Sequence, residues 1–163
     1  MNMITQRFRQ AVNAGTCIGK INTTEPFNAG LVELSERSFP PPHGEAYFMF
    51  ARQRDSVDYT TKELTLSFSK GLANDTYDLT PHSHDIRLTF ADNSDPTKPV
   101  IYTQREGTAE LKYDDSTGVF SGALKGVIVE NRDDDVDKEL TIEVDFSAKG
   151  SIAMSRRART LAA

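Results

Sequence analysis

Tryptophan is absent from this 163-residue chain, and cysteine occurs once, at Cys17. A lone thiol closes no intramolecular disulfide and has no companions with which to hold a structural zinc or an iron–sulfur centre, so the core must stabilise the fold unaided. No apolar run approaches membrane-spanning length, and no membrane insertion is expected. Acids are missing from both ends: none precedes Glu25 and none follows Asp145. Arg7, Arg9 and Lys20 lie in the segment before Glu25 and Arg156, Arg157 and Arg159 in the tail from Ser151, so the net charge of -5 understates how acidic the middle is. Such a body repels phosphate backbones, and nucleic acid is not an expected partner. Between Met1 and Gly19 the apolar residues are interrupted by Gln6, Arg7, Arg9, Gln10 and Asn13, unlike the unbroken apolar stretch of an export signal. The expected address is the cytoplasm, with export as the alternative if a leader has been removed.

With 37% hydrophobic and 26% charged residues, the composition is that of a globular protein, and the length suits one domain. That domain is expected to span 1-163, its ordered β body running over roughly 25-150 between basic ends. Period-two alternation dominates the body. Leu140, Ile142, Val144 and Phe146 alternate with Thr141, Glu143, Asp145 and Ser147, which places four apolar side chains on one face of a strand. The same pattern recurs at Leu64, Leu66 and Phe68, at Ile86, Leu88 and Phe90, and at Ala109, Leu111 and Tyr113. Tyr47-Phe48-Met49-Phe50 is continuously apolar, as in a strand covered on both faces, and Val100-Ile101-Tyr102 is a short run of β formers; both read as central.

Turn-forming clusters separate these runs: Pro40-Pro41-Pro42, Gly71 with Asn74-Asp75, Asp92 to Pro96, and Asp114 to Gly118. The last lies at hairpin distance between two strands, with Gly118 available for a positive φ, and Asn131–Asp137 then leads into the strand ending at Phe146. The C-terminal third thus reads as a three-stranded antiparallel meander. Helical spacing is confined to the ends, at Ile4, Phe8, Ala11 and Val12 and in the helix formers from Ala153 to Ala163. The fold expected is all-β: an antiparallel β-sandwich of about eight strands with a short N-terminal helix, a β-barrel being the alternative.

Gly107-Thr108-Ala109-Glu110-Leu111-Lys112-Tyr113, Gly118-Val119-Phe120-Ser121-Gly122-Ala123-Leu124 and Leu140–Phe146 follow one another as strand, hairpin, strand and closing strand. In this the last third resembles small bacterial β-sandwich domains of uncharacterised function. The resemblance implies an all-β fold and no activity, so it assigns no site residue. Relatives of that kind are often exported lipoproteins; Asn13-Ala14-Gly15-Thr16 before Cys17 is similar to a lipoprotein site, but the leucine-rich approach is missing. The final Leu161-Ala162-Ala163 resembles the end of the tag that bacterial unfoldase–protease machines recognise, which implies rapid turnover; a solvated basic tail explains the same residues.

Candidate chemistry is sparse. His82 and His84, on a strand, would face one way and offer two imidazoles to a metal with Asp85 nearby; His43 is the other histidine, but two ligands do not make a site, and a polar turn before Ile86 is the simpler reading, so no bound metal is expected. Asp133, Asp134, Asp135 and Asp137 could meet calcium but lack the glycine and glutamate of an EF-hand, and a solvated acidic loop accounts for them. Glu143 and Asp145 share a strand face, as paired carboxylates of a glycosidase would, although simple alternation puts polar residues there anyway. Ser121 sits one place late for a nucleophile elbow, Cys17 has no histidine near it in sequence, and no phosphate-binding glycine loop exists. Pro40-Pro41-Pro42 reads either as a polyproline segment for a partner or as a stiff loop. No cofactor is expected. The function expected is a non-catalytic module that binds a protein partner or self-associates; the alternative is a metal-assisted hydrolase using His82 and His84, with His43 as an optional third member.

Overall fold

The computed structural model of the protein describes residues 15–131 and 138–150. Among these residues ten strands form, all antiparallel: Gly15–Ile21 (β1), Glu25–Asn28 (β2), Leu31–Ser38 (β3), Glu45–Arg54 (β4), Thr61–Ser69 (β5), Asp75–Asp78 (β6), Ile86–Asp92 (β7), Val100–Asp114 (β8), Val119–Asn131 (β9) and Lys138–Lys149 (β10). They belong to one sheet in the order β2-β1-β10-β9-β8-β7-β5-β4-β3, with β6 attached to β8. The all-β expectation holds, and β8, β9 and β10 are the antiparallel meander read from the sequence. No helix among the described residues is long and apolar enough to cross a membrane. The expected terminal helices, the acidic loop from Asp133 to Asp137 and the Leu161-Ala162-Ala163 terminus lie outside the described residues.

The two ends of this path are consecutive in the chain. Between β2 and β3 stand only Ala29 and Gly30; the Ala29 N–H donates to the Cys17 carbonyl on β1 at 3.0 Å, and the Gly30 N–H to the Arg52 carbonyl on β4 at 3.0 Å. A chain that is tied to both ends of the sheet within two residues draws those ends together, so the sheet curls and encloses a single inner face. The opposed layers expected of a sandwich are therefore parts of one curled sheet.

Alternation decides what lies inside. Leu64, Leu66, Ile86, Leu88, Phe90, Ala109, Ile142 and Phe146 are buried in one core, as their period-two spacing requires. A line of rings runs through it: Tyr113 stacks on Tyr47 at 4.4 Å between centroids, Tyr47 lies 5.2 Å from Phe68, Phe68 stacks on Phe120 at 4.0 Å, and Phe120 lies 5.0 Å from Phe146. Of the Val100-Ile101-Tyr102 run only Tyr102 is buried, because Ile101 points out of the sheet and is 48% exposed.

The runs at Val100–Tyr102 and Ala109–Tyr113 prove to be one strand, β8. It pairs with β7 through Val100–Thr103 and with β6 through Thr108–Leu111, and its register against β9 shifts on either side of Glu106. Gly107 permits this, since its φ of 116° suits glycine and a Cβ would meet Val127 Cα at 2.5 Å. Gln104 closes the gap at the change of partner: its Oε1 accepts from Leu88 N–H at 2.7 Å, and its Nε2 donates to the Thr80 carbonyl at 2.7 Å and the Ile86 carbonyl at 3.0 Å. Strand β1 lies ahead of the body expected from residue 25. Its Gly19 lets the chain run against β10, where a Cβ would collide with the Glu143 carbonyl.

Candidate functional site

Six residues, 39–44, connect β3 to β4, and they do not stand away from the sheet as a hairpin loop usually does. The Phe39 N–H bonds to the Gly44 carbonyl at 2.9 Å, and Gly44 takes a φ of 67°, which folds the proline-rich segment back over the outer face of β4, β5 and β7. The pocket beneath it, open to solvent on one side, has a volume of about 420 Å3. Phe39, Pro40, Pro41 and Pro42 form its roof and Phe48 part of its floor, while His43, Ser67 and Arg87 supply polar groups. Phe48 itself is capped by Arg37, whose guanidinium carbon lies 3.9 Å from the ring centroid. The continuously apolar run of β4 is thus explained: Met49 points into the core and Phe48 into a covered outer pocket.

His43 anchors the loop. Its Nδ1 lies 2.6 Å from the His84 backbone oxygen, an atom that only accepts, so in the neutral ring Nδ1 carries the proton. Nε2 then accepts from the Ser67 hydroxyl at 2.9 Å. Ser69 donates its hydroxyl to the His43 carbonyl at 2.8 Å and also approaches Nδ1 at 3.1 Å, and Phe39 packs on the imidazole with centroids 5.0 Å apart. Held on both nitrogens and on one face, the ring has a defined tautomer and orientation. Ser67 is only 5% exposed although its side chain points outward, because His43 covers it. Arg87 is the register partner of Ser67 on β7 and faces the same way; among the described residues its guanidinium makes no ion pair.

The residues singled out from the sequence are dispersed. His82 and His84 lie in the turn before β7 rather than on a strand, so the two-residue spacing does not aim their rings together. Among the described residues no group of three histidine, cysteine or carboxylate side chains is placed to hold a metal. The His84 backbone enters the pocket site, and the Asp85 carbonyl accepts from the Ser69 N–H at 2.8 Å. Glu143 and Asp145 are exposed on β10, opposite Lys20 and Ile18 of β1. Ser121 is part of β9 in the hairpin with β8, and Cys17 is fully buried, where desolvation pushes its thiol up to about 12. Ser67, Arg87, Thr65 and Thr89 carry no sequence signal as site residues, since each occupies an ordinary polar position of an alternating strand. No protein-family profile, curated protein or solved structure matches the chain.

Proposed function

We propose that the protein is a binding module whose site is the pocket beneath the Pro40–Pro42 loop, and that its ligand is a small molecule with an apolar body and a carboxylate end. The carrying observation is the roofed cavity itself, of about 420 Å3, in which proline and phenylalanine walls surround His43, Ser67 and Arg87. That volume is within the range of about 300–1,000 Å3 typical of small-molecule sites, and mostly apolar walls with a few convergent polar groups are their usual construction. Arg87 supplies a planar donor fork suited to a carboxylate, and the rings of Phe39 and Phe48 suit an alkyl or aryl body. Because β2 and β3 bring the ends of the sheet together, a pocket supports the binding reading better than a sheet edge does. The resemblance to small bacterial β-sandwich domains implies no activity, which leaves the site to be read from its own residues.

Titration with hexanoate, followed by amide chemical shifts, tests this. The shifts should concentrate in the 39–44 loop, at Ser67 and at Arg87, and Arg87→Ala should weaken binding about tenfold or more, as expected for loss of a charge-assisted contact. Shifts scattered over the surface and indifferent to Arg87→Ala would overturn the proposal.

A further inference from the structure

We propose that Ser67 and His43 form a nucleophile and base pair, and that the pocket hydrolyses esters of the short carboxylic acids it binds. The inference rests on the binding reading, since the acid released is the ligand class assigned to the pocket. Its own support is geometric. The Ser67 hydroxyl stands 2.9 Å from His43 Nε2, and Nδ1 on the far side of the ring is held 2.6 Å from the His84 carbonyl oxygen. A nucleophile, a base within hydrogen-bond reach and a third group that orients the base are the three parts an activated serine needs. Here a backbone carbonyl plays the orienting part that a carboxylate plays in the familiar triads. Ser67 lines the cavity despite its low exposure, so a carbonyl carbon lodged against Phe48 and Arg87 would meet its oxygen.

The chemistry then follows in two stages. Ser67 Oγ attacks the ester carbonyl carbon while its proton passes to His43 Nε2, and the resulting oxyanion is met by the Arg87 guanidinium on the neighbouring strand. The carbonyl re-forms, the carbon–alkoxide bond breaks, and the leaving oxygen takes the proton from Nε2 to depart as an alcohol. A water molecule gives a proton to Nε2 as its oxygen attacks the acyl carbon. The bond to Ser67 Oγ breaks, Oγ recovers the proton, and the carboxylic acid leaves. One ester and one water become one acid and one alcohol, with no redox partner required.

The test treats the full chain with an alkyl fluorophosphonate, locates the adduct by peptide mass spectrometry, and follows hydrolysis of p-nitrophenyl hexanoate. The expected result is a single adduct on Ser67 of the unaltered chain. Turnover should be abolished by Ser67→Ala, lowered about 100-fold or more by His43→Gln, as for loss of a general base, and unchanged by His82→Ala, whose side chain lies outside the pocket. Arg87→Gln should lower kcat more than it raises KM, because the oxyanion forms only after binding. An adduct elsewhere, or no adduct, overturns the hydrolase proposal. If hexanoate still shifts the loop, Ser67 and Arg87 in that case, the binding reading survives alone; if it does not, both fail. Because the labelling uses the unaltered chain, misfolding of a variant cannot mask the outcome.

Discussion

Leu66 and Ser67 are neighbours on β5 with nearly equal burial, 0% and 5% exposed, and they reach it by opposite routes. Leu66 is covered by the sheet itself: its side chain points to the inner face and is buried in the core around which the sheet curls. Ser67 points outward and would be solvated but for His43, which arrives from the connection between β3 and β4 and covers all but the part that lines the pocket. The inner face is therefore stabilised by apolar area and ring packing, a non-directional gain spread over many residues. The outer face beneath the loop depends on a few directional hydrogen bonds, each of which fixes a donor or an acceptor in place. Damage to the first should unfold the protein, whereas damage to the second should leave it folded and remove the site.

The largest effect is expected from two adjacent positions on β10. Ile142 is fully buried, and a carboxylate there would be desolvated without a partner, so Ile142→Asp should abolish the cooperative thermal transition. Glu143→Lys, on the exposed face opposite Lys20, should shift stability by less than about 1 kcal/mol despite the like charge it creates. Comparable losses in the two melts would contradict the assignment of inner and outer faces.

The outer site should respond more mildly. His43→Ala leaves the Ser67 hydroxyl without its acceptor and frees the loop, and urea denaturation should register a loss of about 1–3 kcal/mol. His82→Ala, in the same turn as His84 but outside the pocket, should stay within about 0.5 kcal/mol of the unaltered protein. If His82→Ala costs as much as His43→Ala, the network around His43 does not hold the loop.

Thiol chemistry sharpens the contrast without changing stability. Burial raises the Cys17 thiol to about 12, so in the folded protein almost none of it is thiolate at pH 8. A disulfide reagent such as dithionitrobenzoate should react at the pace of unfolding in buffer and promptly in strong urea; prompt reaction in buffer would remove Cys17 from the inner face.

The smallest effect concerns three exposed turns. Asp58, Asp95 and Asp114 are held below the usual carboxylate range, chiefly by hydrogen bonds from Thr60, Thr97 and Ser116 respectively. A depressed folded value means that the contribution is complete above the unfolded value, about 3.9 for aspartate, and is lost as pH falls through the folded one. Replacing all three by asparagine should make the melting temperature fall slightly less steeply on acidification below about pH 4. An identical acid limb would show that the turns add nothing to the pH dependence.

Most of the inner face was legible along the chain. The alternations ending at Phe68, Phe90, Tyr113 and Phe146 each became a strand with the anticipated side inward, and Gly118 took the positive φ, 72°, that the hairpin required. Strands β1, β2, β3 and β6 were not. In β1 the glycines that allow close approach to β10 interrupt the apolar pattern, and β2 and β6 are four residues each, too short to show a period. The histidine pair at His82 and His84 is the most conspicuous chemical signal in the sequence and does not assemble, whereas His43, which the sequence offers only as an added member of that set, is the centre of the site.

What this chain settles from its residues alone is therefore the all-β class, the identity of the inward side chains and the positions of several turns. Those properties follow from a two-residue period and from backbone preferences, which act between neighbours in the chain. Only the tertiary structure decided that the sheet curls, because that depends on Ala29 and Gly30 joining strands at its two ends. It alone decided the site as well. His43 and Ser67 are separated by 24 residues and His43 and His84 by 41, and no local preference couples residues so far apart. They meet because the β3–β4 connection folds onto an outer face whose polar residues, read in sequence, looked like any strand's solvent side.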